Sequence, residues 1–200
     1  MSLRWNALKR TKDILAISLR QFFANPDNYK YLVPSELNYT EYVKLSENIY
    51  STEPNVLREF PTIIITGGSG QMISTDLSDF VQELHDPRTD KLWGYRYGGI
   101  YEFNMTIEVG SRSTLERDFL TDVLSRALRF SLRRKIESQG IIIKSMQSSD
   151  GNSIPYDSSH IYIANLSFST WANWHEDIEL VSDVDINING KLVDSMNIEE

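Results

Sequence analysis

Tyr101-Glu102-Phe103-Asn104-Met105-Thr106-Ile107-Glu108-Val109 decides the fold, together with the segment that continues from it to Gly140. Tyr101, Phe103, Met105, Ile107 and Val109 alternate with Glu102, Asn104, Thr106 and Glu108, so one face is apolar and the other polar. A period of two belongs to a half-buried antiparallel strand. Gly110-Ser111 interrupts it. Ser113 then stands three residues before Glu116, the spacing of a capping box, in which two side chains satisfy two free N–H groups at a helix start. Leu120, Val123, Leu124, Ala127, Leu128, Ser131 and Leu132 follow at helical spacing, and Gly140 supplies the stop. The stretch reads as a long amphipathic strand feeding a long amphipathic helix.

Toward the N-terminus, Leu8, Leu15, Leu19 and Phe22 fall on one face of a helix over 6–24, with Trp5 and Phe23 beside it and Lys12 near the stripe. Asn25-Pro26-Asp27-Asn28 ends it. In 27–59, Tyr29, Tyr31, Leu32 and Val33 suit a short strand. Tyr39, Tyr42, Val43, Leu45, Ile49 and Tyr50 form an aromatic-rich stretch that fits either an interface or peripheral core packing. The β-branched run Pro61-Thr62-Ile63-Ile64-Ile65 predicts a buried strand, and Gly67-Gly68-Ser69-Gly70 a flexible turn. Residues 77–84 fit a helical turn or an irregular strand, and Asp86–Asp90 a loop.

Toward the C-terminus, Ile141–Met146 predicts a strand and Ser148–Ser159 a polar loop. His160–Trp171 predicts a second strand with Tyr162, Ala164, Leu166, Phe168 and Thr170 on one face. Residues 173–188 read as extended and acidic. The order of elements predicts an α+β domain: an antiparallel or mixed sheet of about four to five strands, with a long helix on one face and an additional N-terminal helix. One domain spans 1–200, with the N-terminal helix in 1–25, the sheet and helix in 60–188 and a loose tail in 189–200.

Two hundred residues can bury a sizeable core, and 40% hydrophobic with 24% charged residues is a globular composition. The formal charge of −8 argues against a nucleic-acid binder working by bulk charge. Cysteine is absent, which excludes disulfide scaffolds and thiolate metal sites and fits a reducing compartment. No signal-peptide pattern is visible, and no apolar run approaches the roughly 18 residues of a membrane span.

The chemical motifs are thin. Gly67-Gly68-Ser69-Gly70 lacks the Lys-Ser/Thr pair of a phosphate loop and the final glycine of a nucleophile elbow. His85, His160 and His175 are widely separated, and Asp150-Gly151-Asn152 lacks the carboxylate series of a calcium loop. Neither metal nor cofactor is expected, and no catalytic set is assembled. Charge is distributed unevenly. Arg126, Arg129 and Arg133 share a helical stripe with Arg134 and Lys135 alongside, while Glu176, Asp177, Glu179, Asp183 and Asp185 crowd the C-terminal region. The arginines suit phosphate contact. They equally suit a solvated or intersubunit face, since Asp118 and Asp122 precede them as the helix dipole prefers and Asp122–Arg126 is a favourable pair. A head-to-tail ring could set the basic side of one subunit against the acidic side of the next; solubility alone also explains such charges.

In layout, the strand Tyr101–Val109, the helix start from Gly110 to Asp118, the helix Leu120–Leu132 and the later strands Ile141–Met146 and Ile161–Trp171 resemble the tail terminator (tail completion) proteins of tailed bacteriophages. The resemblance covers roughly residues 60 to 185. It implies a non-enzymatic virion protein, assembled in the host cytoplasm, that closes into a homo-oligomeric ring (a hexamer in the family). Such a ring caps the tail tube, stops its polymerisation and meets the head connector; in contractile tails it can also anchor the last sheath ring. The implied partners are itself, tail tube protein, sheath protein and connector or neck proteins, with DNA only in passage and no membrane. Asp122, Arg126, Arg129, Arg133, Glu176, Asp177 and Glu179 become candidate subunit-interface residues. The candidate tube- or lumen-facing loops are Gly67, Gly68, Ser69 and Gly70 with Asp150, Gly151 and Asn152. Another neck, head–tail adaptor or baseplate component is the alternative within this class. A small nucleotide- or DNA-binding protein is the alternative outside it.

Overall fold

Seven strands make the main sheet: β1 (Ile49–Tyr50), β2 (Thr62–Ile73), β3 (Phe80–His85), β4 (Leu92–Ser111), β5 (Ile141–Asp150), β6 (Ile154–Tyr156) and β7 (Ser159–Glu179). Their order is β1-β2-β4-β7-β5, with β3 added to β4 and β6 to β7. Only β1–β2 is parallel; every other pairing in this sheet is antiparallel. The computed structural model describes residues 7–52, 59–73, 80–151, 153–156, 159–179, 187–188 and 191–192. Among these, β8 (Asn187–Ile188) and β9 (Lys191–Leu192) form a separate two-stranded ribbon, so part of the expected tail is paired.

The fold is mixed α+β with a mostly antiparallel sheet, as its sequence pattern predicts, but the sheet is larger than four to five strands. The extra strands come from polar stretches. Gly67–Gly70 is not a turn: it lies inside β2, at a bulge between Gly67 and Gly70 in the pairing with β4. A Cβ on Gly70 would lie 2.2 Å from the Phe103 ring, and one on Gly67 would lie 2.5 Å from Leu8 Cδ1. The glycines therefore give room for close packing, a common use of glycine within a strand. Ser148–Ser159 is likewise not one loop. β5 continues to Asp150, Gly151 donates its N–H to Ile163 O at 2.9 Å, and Ile154–Tyr156 pairs with β7. Tyr29–Val33 is not a strand but 3₁₀ turns over Pro26–Asn28 and Lys30–Leu32. A third 3₁₀ segment, Tyr39–Glu47, buries Tyr42 and Leu45, so these two aromatic-stretch residues serve the core.

One face of the sheet carries the helices. On β4, Phe103, Met105, Ile107 and Val109 are buried, as are their register neighbours Ala164, Leu166, Phe168 and Thr170 on β7. Helix α1 (Ala7–Phe23) adds Leu15, Leu19 and Phe23, and α2 (Thr114–Arg126) adds Leu120, Val123 and Leu124. Arg20 Nε donates to Ile49 O at 3.0 Å and ties the end of α1 to β1. Tyr29 donates its hydroxyl to Phe23 O at 3.1 Å, and burial pushes its pKa up to about 12.

The expected long helix is broken. α2 gives way to a π turn over Ala127–Ser131, then to the short α3 (Arg133–Glu137). The break is visible in the Leu132 N–H, which donates to Ala127 O at 2.8 Å and so spans five residues instead of four. Gly140, at φ +78°, stops α3 in the left-handed region that glycine tolerates best. The opposite face of the sheet is hydroxyl- and amide-rich. Thr106 and Ser167 hydroxyls lie 3.3 Å apart, and Ser145 and Ser169 hydroxyls 3.4 Å.

β4 and β7 outrun the helices. They pair without a break from Gly94–Glu179 to Ser111–Tyr162. The helix-covered core ends near Tyr101, and the eight residues Leu92–Gly99 continue for about 26 Å at ~3.3 Å per residue. With β3 and residues 173–179 of β7 they form a three-stranded arm. Among the described residues, no further strand is hydrogen-bonded to the outer edge of β3, and β5 pairs with β7 only up to Ala172.

Candidate functional site

The candidate interface residues divide between two places. Asp122 and Arg126 sit on α2, with Arg126 Nε donating to Asp122 Oδ2 at 2.8 Å. Both side chains are more than half exposed, so the pair contributes a few tenths of a kcal/mol at most, ~0.3–0.5. The π turn then carries Arg129, whose Nη2 donates to Met146 O on β5 at 3.3 Å. Arg133 begins α3 and donates to Glu137 at 2.8 Å. Lys135 Nζ donates to Gln21 Oε1 and joins α3 to α1. The three arginines therefore point to three different acceptors, and the π turn interrupts the even helical stripe.

Glu176, Asp177 and Glu179 lie at the far end of β7, in register with Tyr97, Arg96 and Gly94. The structure does not bring them to the arginines. β7 carries them away along the arm. Gly67, Gly68, Ser69 and Gly70 lie within β2, against β4, and Asp150 ends β5 with Gly151 following it. Asn152 lies outside the described residues.

Between the π turn and β5 opens a cleft of about 390 Å³. Arg129, Phe130, Arg133 and Lys144 line its rim, and Ile143 and Met146 its floor. Two irregularities meet here. The helix loosens at 127–131, and the β5–β7 register shifts between Ile143 and Met146. Such departures from regular geometry recur at functional positions. Phe130 is 74% exposed. Lys144 Nζ stands 2.7 Å from the centroid of the Trp171 ring, a favourable placement of a cation on an indole face.

A second cleft of about 270 Å³ lies farther along the same groove, among Asp118, Asp122, Ser125, Ser149 and Asp150. Arg117 Nη2 reaches Asp118 at 2.7 Å and Asp150 at 3.8 Å. Carboxylates thus gather at the Asp150 end, and Arg129 and Arg133 at the other, while the Lys144 ammonium lies over Trp171.

Trp171 and Trp174 occupy the junction of body and arm. Both bury the indole N–H without a hydrogen-bond partner, an arrangement that native interiors avoid. The arm carries exposed apolar residues, Val81 at 55% and Trp93 at 37%. At its tip, His85 Nδ1 lies 2.9 Å from Asp90 O and Nε2 3.2 Å from Glu83. Hydrogen bonding to Asp90, then to Glu83, raises the His85 pKa. Asp86 accepts from the N–H groups of Thr89 and Arg88, which hold its carboxyl below the ordinary value.

Sequence reasoning passed over Phe130, Lys144, Trp171 and Trp174. A signal existed for Phe130: an aromatic residue flanked by Arg129 and Ser131, within the most basic stretch of the chain. Among the described residues, no helix is long and apolar enough to cross a membrane. No protein-family model matches this chain, and no curated protein matches it.

Proposed function

We propose that this chain is a structural virion protein whose copies close into a ring on the end of a phage tail tube. The ring stops tube growth, and sheath growth where a sheath exists, and joins the tail to the head connector. The observation that carries this reading is the arm. β4 and β7 run on for seven or eight residues each beyond the helix-covered core. Beside them β3 and the end of β7 form sheet edges to which no further strand is paired among the described residues, and Val81 and Trp93 are exposed apolar residues. Soluble proteins generally blunt or cover such edges because they invite pairing with other chains. An assembly protein uses them.

Ring closure explains how growth ends: a head-to-tail interface that closes leaves no free lateral site. The hydroxyl-rich open face of the sheet and the split groove beside β5 supply further surfaces for tube, sheath or connector. A neck or head–tail adaptor would share this design and differ in its partner.

Light scattering at high and low protein concentration, followed by co-sedimentation with purified tail tubes and with connectors, tests the reading. A defined closed oligomer that binds tube ends and blocks further tube subunits supports the terminator. Binding to connectors alone identifies the adaptor. A monomer that binds neither overturns both.

A further inference from the structure

We propose that the outer edge of β5 pairs with the same edge of a second copy of this chain. The two strands run antiparallel about a two-fold axis between their Ser148 residues, and Arg129 changes partner as the pair forms. The inference goes beyond the ring reading and does not rest on it, since a two-fold contact closes at two copies.

β5 is the last strand of the main sheet and, among the described residues, pairs with β7 alone. One hydrogen bond fixes which of its backbone groups face outward. Gly151 donates its N–H to Ile163 O at 2.9 Å, which makes Asp150 and Ala164 a closely spaced pair without mutual bonds. In such a pair the N–H and C=O of each residue point away from the other strand. The register is unbroken from Met146 to Asp150, so alternation gives Ser148 and Met146 the same outward aim. Gln147, Ser148, Ser149 and Asp150 are exposed. Met146 O accepts from Arg129 Nη2 at 3.3 Å.

The bulge sets the length of the usable edge. Lys144 and Ser145 together stand against Ser169, with Lys144 over Trp171 and the Ser145 hydroxyl 3.4 Å from that of Ser169. A regular partner strand can follow β5 only from Met146 onward. Met146–Asp150 has Ser148 at its middle. Paired antiparallel with itself, this edge sets Ser148 against Ser148, Gln147 against Ser149 and Met146 against Asp150. Each opposed couple keeps its side chains on one face of the sheet.

Charge supports the same register. Met146, Ser148 and Asp150 lie opposite the buried Phe168, Leu166 and Ala164, on the face that carries the helices. Asp150 is 82% exposed, although Arg117 stands 3.8 Å from it. Two-fold pairing brings the Asp150 Cβ of the second copy to about 5 Å from that of Met146, next to the Arg129 guanidinium. The incoming Asp150 N–H then takes Met146 O, and the Asp150 carboxylate takes Arg129. A bond to a neutral carbonyl is thereby exchanged for one between two charged groups, once on each side of the axis. Within one chain Asp150 lies about 13 Å along the strand from Met146, so this partner comes from outside.

The chain has no cysteine, so introduced thiols report the register. Opposed Ser148 residues would have Cα atoms about 5.5 Å apart, within reach of a disulfide. Two Gln147 residues would be diagonal neighbours about 7–8 Å apart, beyond it. Under a mild oxidant, Ser148→Cys should form a covalent dimer at least tenfold faster than Gln147→Cys. Adding Asp150→Lys sets a lysine against Arg129 of the second copy and should slow that reaction several-fold with the melting temperature unchanged. Arg129→Glu in the same chain should restore it. Without introduced thiols, light scattering should show Asp150→Lys moving the monomer–dimer midpoint at least tenfold to higher concentration, and Arg129→Glu returning it part of the way. Equal rates for the two cysteine variants, or no cross-link at high concentration, overturn the pairing. A Ser148→Cys rate that ignores both the charge change and its reversal overturns the exchange at Arg129.

Discussion

The body and the arm are built from the same two strands and obey different rules. In the body, β4 alternates strictly: Phe103, Met105, Ile107 and Val109 are buried, while Asn104 is exposed. In the arm the same strand shows no such alternation. Tyr95, Arg96, Tyr97, Gly98 and Gly99 are all half-buried, and Gly94 alone is buried. A helix layer imposes the period of two; without it the strand has two similar faces. The comparison teaches that pairing to β7, not a core, holds the arm in place. Among the described arm residues, Val81 and Trp93 are exposed apolar side chains.

The largest expected effect tests whether stability resides in the body. Leu120 is fully buried between α2 and the sheet. Leu120→Ala should cost about 2–5 kcal/mol by lost burial and cavity formation. Val81→Ala, on the exposed arm, should stay within about 0.5 kcal/mol. Chemical denaturation of the two variants measures both. Similar losses would mean that the arm belongs to the cooperative core, and the distinction drawn here would fail.

Gly98→Ala attacks the arm selectively. A Cβ there would lie 2.7 Å from Trp174 O, a backbone atom that cannot move aside without disturbing β4–β7 pairing. Overpacking of this kind costs about 1–3 kcal/mol, and here the strain falls on the arm. Hydrogen exchange should accelerate over 92–99 and 173–179 while the amides of 103–109 keep their protection. Acceleration across both regions would show that arm and body open together.

The two regions were also unequally legible in the sequence. Alternation announced Tyr101–Val109, helical spacing announced α1, and Gly140 announced its own left-handed stop. Each is a local signal backed by a packed partner. Leu92–Gly99 carried no period, since residues 95–99 are all half-buried on both faces, so the length of β4 went unread. β5 beyond Met146 looked like loop for the same reason: Gln147 to Asp150 are all exposed. Glycine misled at Gly67–Gly70, where small size matters more than turning. The π turn left no trace, since one extra residue in a turn shifts the apolar spacing too little to register. The cleft depends on that turn and on the β5 bulge, so its assembly was invisible even though Arg129 and Arg133 were noted.

A smaller effect concerns the start of α2, where the capping-box spacing is half fulfilled. Ser113 Oγ accepts from the Glu116 N–H at 3.2 Å, as predicted. The Ser113 N–H, however, donates to Ser111 Oγ at 3.0 Å. Ser113→Ala should therefore cost about 1 kcal/mol, and Glu116→Ala no more than about 0.5 kcal/mol, as for an ordinary surface change. Equal losses in denaturation would restore the reciprocal box.

The smallest effect is at the arm tip, and it has a definite sign. His85 has a folded-state pKa raised above its ordinary 6.5, because its ring bonds to Asp90 O and Glu83 favour the charged imidazolium. Its contribution is complete below 6.5 and disappears as pH rises through the raised value. Asp86 is the reverse case. Its pKa lies below 3.8, because the Thr89 and Arg88 N–H groups favour the carboxylate, so its contribution is present above 3.8 and disappears as pH falls through the lowered value. The tip turn should be tightest between pH 3.8 and 6.5 and should loosen on either side. Both groups are exposed, so the change is confined to the tip and screened by salt. An NMR titration checks each half: His85 should titrate above 6.5, and its midpoint should fall in Glu83→Gln. Arg88 and Thr89 amides should lose protection only as Asp86 protonates. An His85 midpoint at or below 6.5 would mean that the tip is not closed by this residue, and that β3 is held to β4 by backbone pairing alone.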